Sequence, residues 1–101
     1  MPKEDKTLVS DGEIQTAVAD LAGWEYDASR KELRRVWKFE KFVPTMVFVR
    51  KLTEIMDSNN HHSDLHLDSR SKTLTVTVTT HSENAVTRAD LDFAGAVNAE
   101  A

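Results

Sequence analysis

The chain has 101 residues, 40% of them hydrophobic and 30% charged, with a formal net charge of −4 and no cysteine. That length builds one domain around one core, and the negative balance argues against general nucleic-acid binding, which draws on clustered Lys and Arg. No apolar run approaches the roughly 18 residues of a membrane span, and the polar first ten residues lack a signal peptide's apolar stretch, so a cytoplasmic protein with no membrane partner is expected.

Residues 1–9 read as a frayed tail, because the charges of residues 3–6 alternate with little to bury. Ser10-Asp11-Gly12-Glu13 then makes a capping box, and Ile14, Val18 and Leu21 continue at helical spacing to about residue 22, with Gly23 as the stop. Residues 24–27 and 33–40 alternate as two strands around a turn at 28–31. Leu33, Arg35, Trp37 and Phe39 share one face of the second strand; Arg34, Val36, Lys38 and Glu40 share the other. Pro44 fits the first turn of a long helix. Phe48, Leu52 and Ile55 form one stripe on it, and Met46, Val49, Thr53 and Met56 a second, wider together than one sheet contact requires.

Leu65 and Leu67 alternate with Asp64, His66 and Asp68 in a third strand, followed by a glycine-free turn at 69–72. The fourth strand, 73–81, sets Leu74, Val76 and Val78 against Thr73, Thr75, Thr77, Thr79 and a terminal His81. Thr87-Arg88-Ala89-Asp90 caps a final helix carrying Leu91, Ala94 and Val97. The order α-β-β-α-β-β-α predicts an α+β fold: one four-stranded antiparallel sheet with its helices on one face.

Three of the four histidines mark the chemistry. His61 and His62 fall between the long helix and the third strand, and His81 ends the fourth. Pairing of those two strands brings the sites together, so imidazoles at one rim can divide acid and base roles near neutral pH. Asp57, one helical turn before His61, is placed to orient an imidazole. A solvated histidine pair at a helix end is the plainer reading of the same spacing. Metal binding is a third: His62, Asp64 and His66 alternate along one strand face, with His81 as a further ligand. Trp24 and Trp37 read as core residues rather than stacking platforms.

The stretch Asp57-Ser58-Asn59-Asn60-His61-His62-Ser63-Asp64 resembles the signature of the pterin-4a-carbinolamine dehydratases, which carry His-His-Pro after a charged residue and three others. Thr79-Thr80-His81 is similar to that family's Thr-His strand ending, and Ala85-Val86-Thr87-Arg88-Ala89-Asp90 to its Gly-Leu-Thr-x-x-Asp helix start. Gly23-Trp24, Leu33, Phe39, Phe42 and Phe48 extend the match across most of the chain. Ser63 in place of proline, Ala85-Val86 in place of Gly-Leu, and a longer turn at 68–73 without the usual tyrosine are the departures.

The resemblance implies dehydration of 4a-hydroxytetrahydropterin to quinonoid dihydropterin, in tetrahydrobiopterin recycling, with no metal or cofactor. It makes His61, His62 and His81 the active-site histidines: His61 and His81 for acid/base work, His62 for positioning. Asp57, Asn60, Ser63, Asp64, Thr79, Thr80 and Asp90 are then the substrate-binding and supporting positions. It also implies a homodimer joined through sheet edges or a homotetramer joined through helices. A non-catalytic binding or assembly factor with the same fold is the alternative, since fold alone does not fix function.

Overall fold

A computed structural model describes residues 6–59, 61 and 63–100 of the chain. Its elements run α1 (Asp11–Ala19), β1 (Glu25–Asp27), β2 (Glu32–Lys38), α2 (Phe42–Asn59), β3 (Asp64–Asp68), β4 (Thr73–Val78), a 3-10 turn (His81–Glu83) and α3 (Arg88–Glu100). The strands form one antiparallel sheet in the order β1-β2-β4-β3, so the two hairpins meet through their second strands. The α+β architecture expected from the alternation and helical periods is the one observed.

Register explains why the helices gather on one side. Leu33 pairs with Val78, Arg35 with Val76 and Trp37 with Leu74, while Leu65 and Leu67 of β3 pair with Val76 and Leu74. These side chains share one face because strand residues alternate. Ile14 and Val18 of α1, Phe48, Leu52, Ile55 and Met56 of α2, and Leu91, Phe93, Ala94 and Val97 of α3 are buried in one cluster with Leu33 of β2 and Leu74, Val76 and Val78 of β4. Full burial of each such side chain stabilises by about 1.5–3 kcal/mol. Trp24 and Trp37 meet edge to face at 6.2 Å between ring centres, and Trp37 lies 4.9 Å from Phe48, so both tryptophans belong to the packed side. The opposite face carries Arg34, Thr77 and Asp64 in one cross-strand row and Val36, Thr75 and His66 in the next.

Several boundaries differ from the sequence expectation. The tail expected to be free through residue 9 is tied at its far end: the Arg88 N–H donates to the Thr7 carbonyl at 3.0 Å, and Leu8 bridges Thr87. Helix α1 ends at Ala19 rather than residue 22, because Asp20 and Leu21 donate to carbonyls three residues back, tightening the chain beyond α-helical pitch. Gly23 still makes the stop, at φ +83°, a conformation that suits glycine. Strand β2 stops at Lys38, short of Glu40. Strand β4 stops at Val78, not at His81, because Thr80 turns aside to pair with Ala85, its N–H donating to the Ala85 carbonyl at 3.1 Å.

Both hairpins close without glycine by the same device. Asp27 accepts from the Ser29 and Arg30 N–H groups, and Asp68 from those of Arg70 and Ser71. Lys31 and Lys72 then take left-handed backbone at φ 54° and 56° before the return strands. The carboxylate bonded two residues ahead is what sets such turns.

Candidate active site

The site is assembled where the end of α2, the end of β4 and the start of α3 converge. Beyond α2 the chain folds back, the His61 N–H donating to the Met56 carbonyl at 3.1 Å. This carries the imidazole inside the protein, 6% exposed, in an edge-to-face contact with Phe93 at 6.4 Å between ring centres. There Nε2 lies 2.6 Å from Oδ1 of Asp90, whose side chain is wholly buried. Asp90 is the third residue of α3. Its Oδ2 accepts the Thr87 backbone N–H at 2.8 Å, the return half of the capping box visible in the sequence. The same oxygen accepts the Thr80 hydroxyl at 2.8 Å, and the Thr80 and Thr87 hydroxyls are 2.7 Å apart.

A buried charge is costly unless it is paired and hydrogen-bonded. Asp90 meets both conditions, with the His61 ring on one oxygen and two donors on the other. As a carboxylate it only accepts, so His61 presents Nε2–H to it. The pair is therefore an imidazole held in one orientation by a carboxylate that also compensates the charge gained when the ring takes a proton.

The structure brings some of the anticipated residues together and separates others. His61, Thr80 and Asp90 form one hydrogen-bonded group, and His81 follows Thr80 directly, exposed at the head of the 3-10 turn rather than on a strand. Running the β3–β4 register backward sets position 61 opposite position 80, which is why the two chain ends converge. Ser63 lies just before β3, its hydroxyl oxygen buried without a hydrogen-bond partner. Thr79 points the other way: its hydroxyl donates to the Lys31 carbonyl at 2.6 Å, joining the two hairpins. Asp64 is exposed on the uncovered sheet face, opposite Thr77. Asp57 is exposed on α2, beside a surface groove that also takes in Met46, Val49 and Thr53. The carboxylate on the His61 ring is Asp90, not the Asp57 that helical spacing nominates. His62 and Asn60 lie outside the described residues. Among the described residues, no three His, Asp or Glu side chains are grouped to hold a metal ion.

Thr87 is the residue that sequence reasoning treats only as a helix cap. The signal was the Thr87-x-x-Asp90 capping pattern itself. What the pattern does not disclose is that the cap's hydroxyl turns to Thr80, and its acid to His61.

Three comparisons bear on this geometry. A family model described as pterin 4 alpha carbinolamine dehydratase matches residues 7–100. A protein of Nostoc sp., provisionally named a pterin-4-alpha-carbinolamine dehydratase, is 35% identical over 91 residues, covering 90% of this chain and 94% of its own. One of Mycobacterium avium with the same provisional name is 37% identical, covering 90% and 93%. Among solved structures, a transcriptional coactivator/pterin dehydratase from Brucella melitensis superposes with a TM-score of 0.81 at 28% identity, over 90% of this chain and 95% of that one. A pterin dehydratase-like protein described as a RuBisCO assembly factor in the alpha-carboxysome shares the fold, with a TM-score of 0.62 at 17% identity over 76% and 87%.

Proposed function

The chain belongs to the pterin-4a-carbinolamine dehydratase family, and from that premise we propose that it dehydrates 4a-hydroxytetrahydropterin to quinonoid dihydropterin, in the recycling of tetrahydrobiopterin. The reaction breaks the C4a–O bond, releases water and removes the N5 proton as the C4a–N5 double bond forms. It needs an acid at the departing hydroxyl and a base at N5, and imidazoles serve both near neutral pH. In this reading His61 and His81 exchange those protons and His62 positions the pterin.

The observation that carries the reading is the buried His61–Asp90 pair at 2.6 Å. A carboxylate behind an imidazole fixes its orientation and stabilises the imidazolium that forms during proton transfer. The alternative is an assembly factor of the kind named for the carboxysome protein. A surface that only docks a partner has no use for a buried imidazole whose carboxylate partner takes two further donors, so the pair favours the enzyme.

The test is a contrast between positions. With folding verified by circular dichroism, His61→Ala and His81→Ala each slow turnover by roughly 10²–10⁴-fold, the usual worth of a general acid or base. His62→Ala acts mainly on KM, and His66→Ala, on the uncovered sheet face, does little. Wild-type turnover in both folded His61→Ala and His81→Ala removes the histidines from the mechanism and leaves the assembly reading in their place.

A further inference from the structure

The hydroxyl protons around Asp90 can be assigned from hydrogen-bond capacity alone. Thr80 has one hydroxyl proton and two oxygen neighbours: Oδ2 of Asp90 at 2.8 Å and Oγ1 of Thr87 at 2.7 Å. The carboxylate can only accept, so Thr80 donates to Asp90. That leaves Thr80 only lone pairs toward Thr87, and Thr87 must donate to it. A directed chain results, running from the Thr87 hydroxyl through the Thr80 hydroxyl to the Asp90 carboxylate, which receives the His61 Nε2–H on its other oxygen.

Two features set this chain apart from ordinary helix capping. In the usual capping box the cap hydroxyl accepts the N–H of the third helical residue. Here the Asp90 N–H goes to the Thr87 backbone carbonyl at 3.1 Å, and the Thr87 hydroxyl is turned to Thr80 instead. All three residues are also sealed from solvent: Thr87 and Asp90 are 0% exposed and Thr80 2%. No water competes for these protons, and in such surroundings each bond polarises the next.

We propose that Thr87 is a positioning residue for the dehydration. Acting through Thr80 and Asp90, it holds the His61 ring in one orientation with Nε2 as the fixed donor. Thr80 anchors the chain because its own backbone is locked, accepting the Glu83 N–H at 3.1 Å while pairing with Ala85. Without the Thr87 donor, the Thr80 oxygen loses the bond that polarises it, its own bond to Asp90 weakens, and the Asp90 carboxylate gains freedom to rotate away from the ring. The assignment rests on the dehydratase reading for its kinetic consequence, but not for its structural one.

The experiment uses Thr87→Val, close in shape and keeping the backbone N–H that bonds Asp90, alongside Thr87→Ser, which keeps the hydroxyl. Histidine nitrogen-15 spectra of the wild-type protein should show His61 as the Nε2–H tautomer. In Thr87→Val the His61 nitrogen shifts should move toward a tautomer mixture, and kcat should fall about tenfold with KM little changed, the worth of one neutral hydrogen bond carried into the transition state. Thr87→Ser should restore both. A folded Thr87→Val protein with wild-type kcat and unmoved His61 shifts overturns the proposal while leaving the dehydratase reading intact. If the wild-type protein turns over no carbinolamine, the spectra alone decide: shifts that move in Thr87→Val and return in Thr87→Ser support the positioning role, and shifts that do not move refute it. A loss of thermal stability in Thr87→Val with no change in the His61 spectrum assigns Thr87 to helix capping alone, and also refutes it.

Discussion

Asp90 concentrates the requirements of the site in one side chain, because it accepts from the His61 ring, the Thr80 hydroxyl and the Thr87 N–H at once. Asp90→Asn keeps the shape but turns one acceptor into a donor, which then faces other donors. The expected cost is roughly 1–3 kcal/mol of folding stability, the penalty of leaving buried partners unsatisfied. It is read as a lower urea midpoint at unchanged slope, together with a loss of turnover; an unchanged midpoint would mean that the three bonds are not formed in solution. Tyr26 permits a second test at this scale. Its hydroxyl donates to Asp11 at 2.8 Å, and burial, followed by that bond and the nearby acidic charges, pushes its pKa up to about 12 from the ordinary 10.0. The folded state thus keeps the proton that the unfolded chain gives up first, so this contribution to stability is complete below pH 10 and is lost as pH rises toward 12. Tyr26 is the chain's one tyrosine, so its ionisation can be followed directly by near-ultraviolet absorbance. Titration near pH 10 in the folded protein would contradict the contact. At this scale the sequence discloses residue types but not meetings. Helical spacing offered Asp57 to His61, whereas the acid that arrives comes from 29 positions away and depends on β4 turning aside at Thr80.

Secondary-structure elements were legible wherever a period ran uninterrupted. Alternation fixed the inward Leu74, Val76 and Val78 of β4, and the stripe of Phe48, Leu52 and Ile55 fixed the buried side of α2. Element ends were not legible where bonds outside the period set them, as at Asp20 and Thr80, and meetings between elements were not legible at all. The junction of α1, β1, β2 and α3 is an example. Asn98, near the end of α3, accepts from Trp24 Nε1 at 2.9 Å and from the Arg35 guanidinium, and donates to the Ala22 carbonyl at 3.2 Å. Arg35 in turn lies over the Trp37 ring, 4.4 Å from its centre. This clasp gives Arg35, the charged residue that interrupts an apolar face, its place in the fold. Asn98→Ala removes all three bonds and is expected to cost about 1–3 kcal/mol. Gly23→Ala is expected to be at least as harmful, since its Cβ would lie 2.6 Å from Arg35 Nε on left-handed backbone. Thermal unfolding of the two variants checks both; a wild-type melting temperature for Asn98→Ala would show that the clasp is not formed.

At the scale of the whole molecule, the apolar surface is unevenly distributed. Phe42, Val43, Met46 and Val47 are exposed together along the first turns of α2, and Leu65 is exposed on the edge strand β3. Edge strands present unpaired backbone groups, and contiguous apolar patches mark interaction sites. Self-association into a homodimer or homotetramer is the proposal these surfaces support. Sedimentation at micromolar concentration is expected to show a species larger than the 11.4 kDa chain, and a lone monomer would refute it. No helix among the described residues is long and apolar enough to cross a membrane. The chemical act proposed for the molecule as a whole is the loss of water from a pterin carbinolamine beside the buried imidazole–carboxylate pair. The most direct measurement generates the carbinolamine in situ and follows its decay by ultraviolet absorbance with and without the protein. The expected result is decay that accelerates in proportion to protein concentration, an acceleration that His61→Ala loses. Decay at the buffer rate at every concentration of folded protein would contradict it.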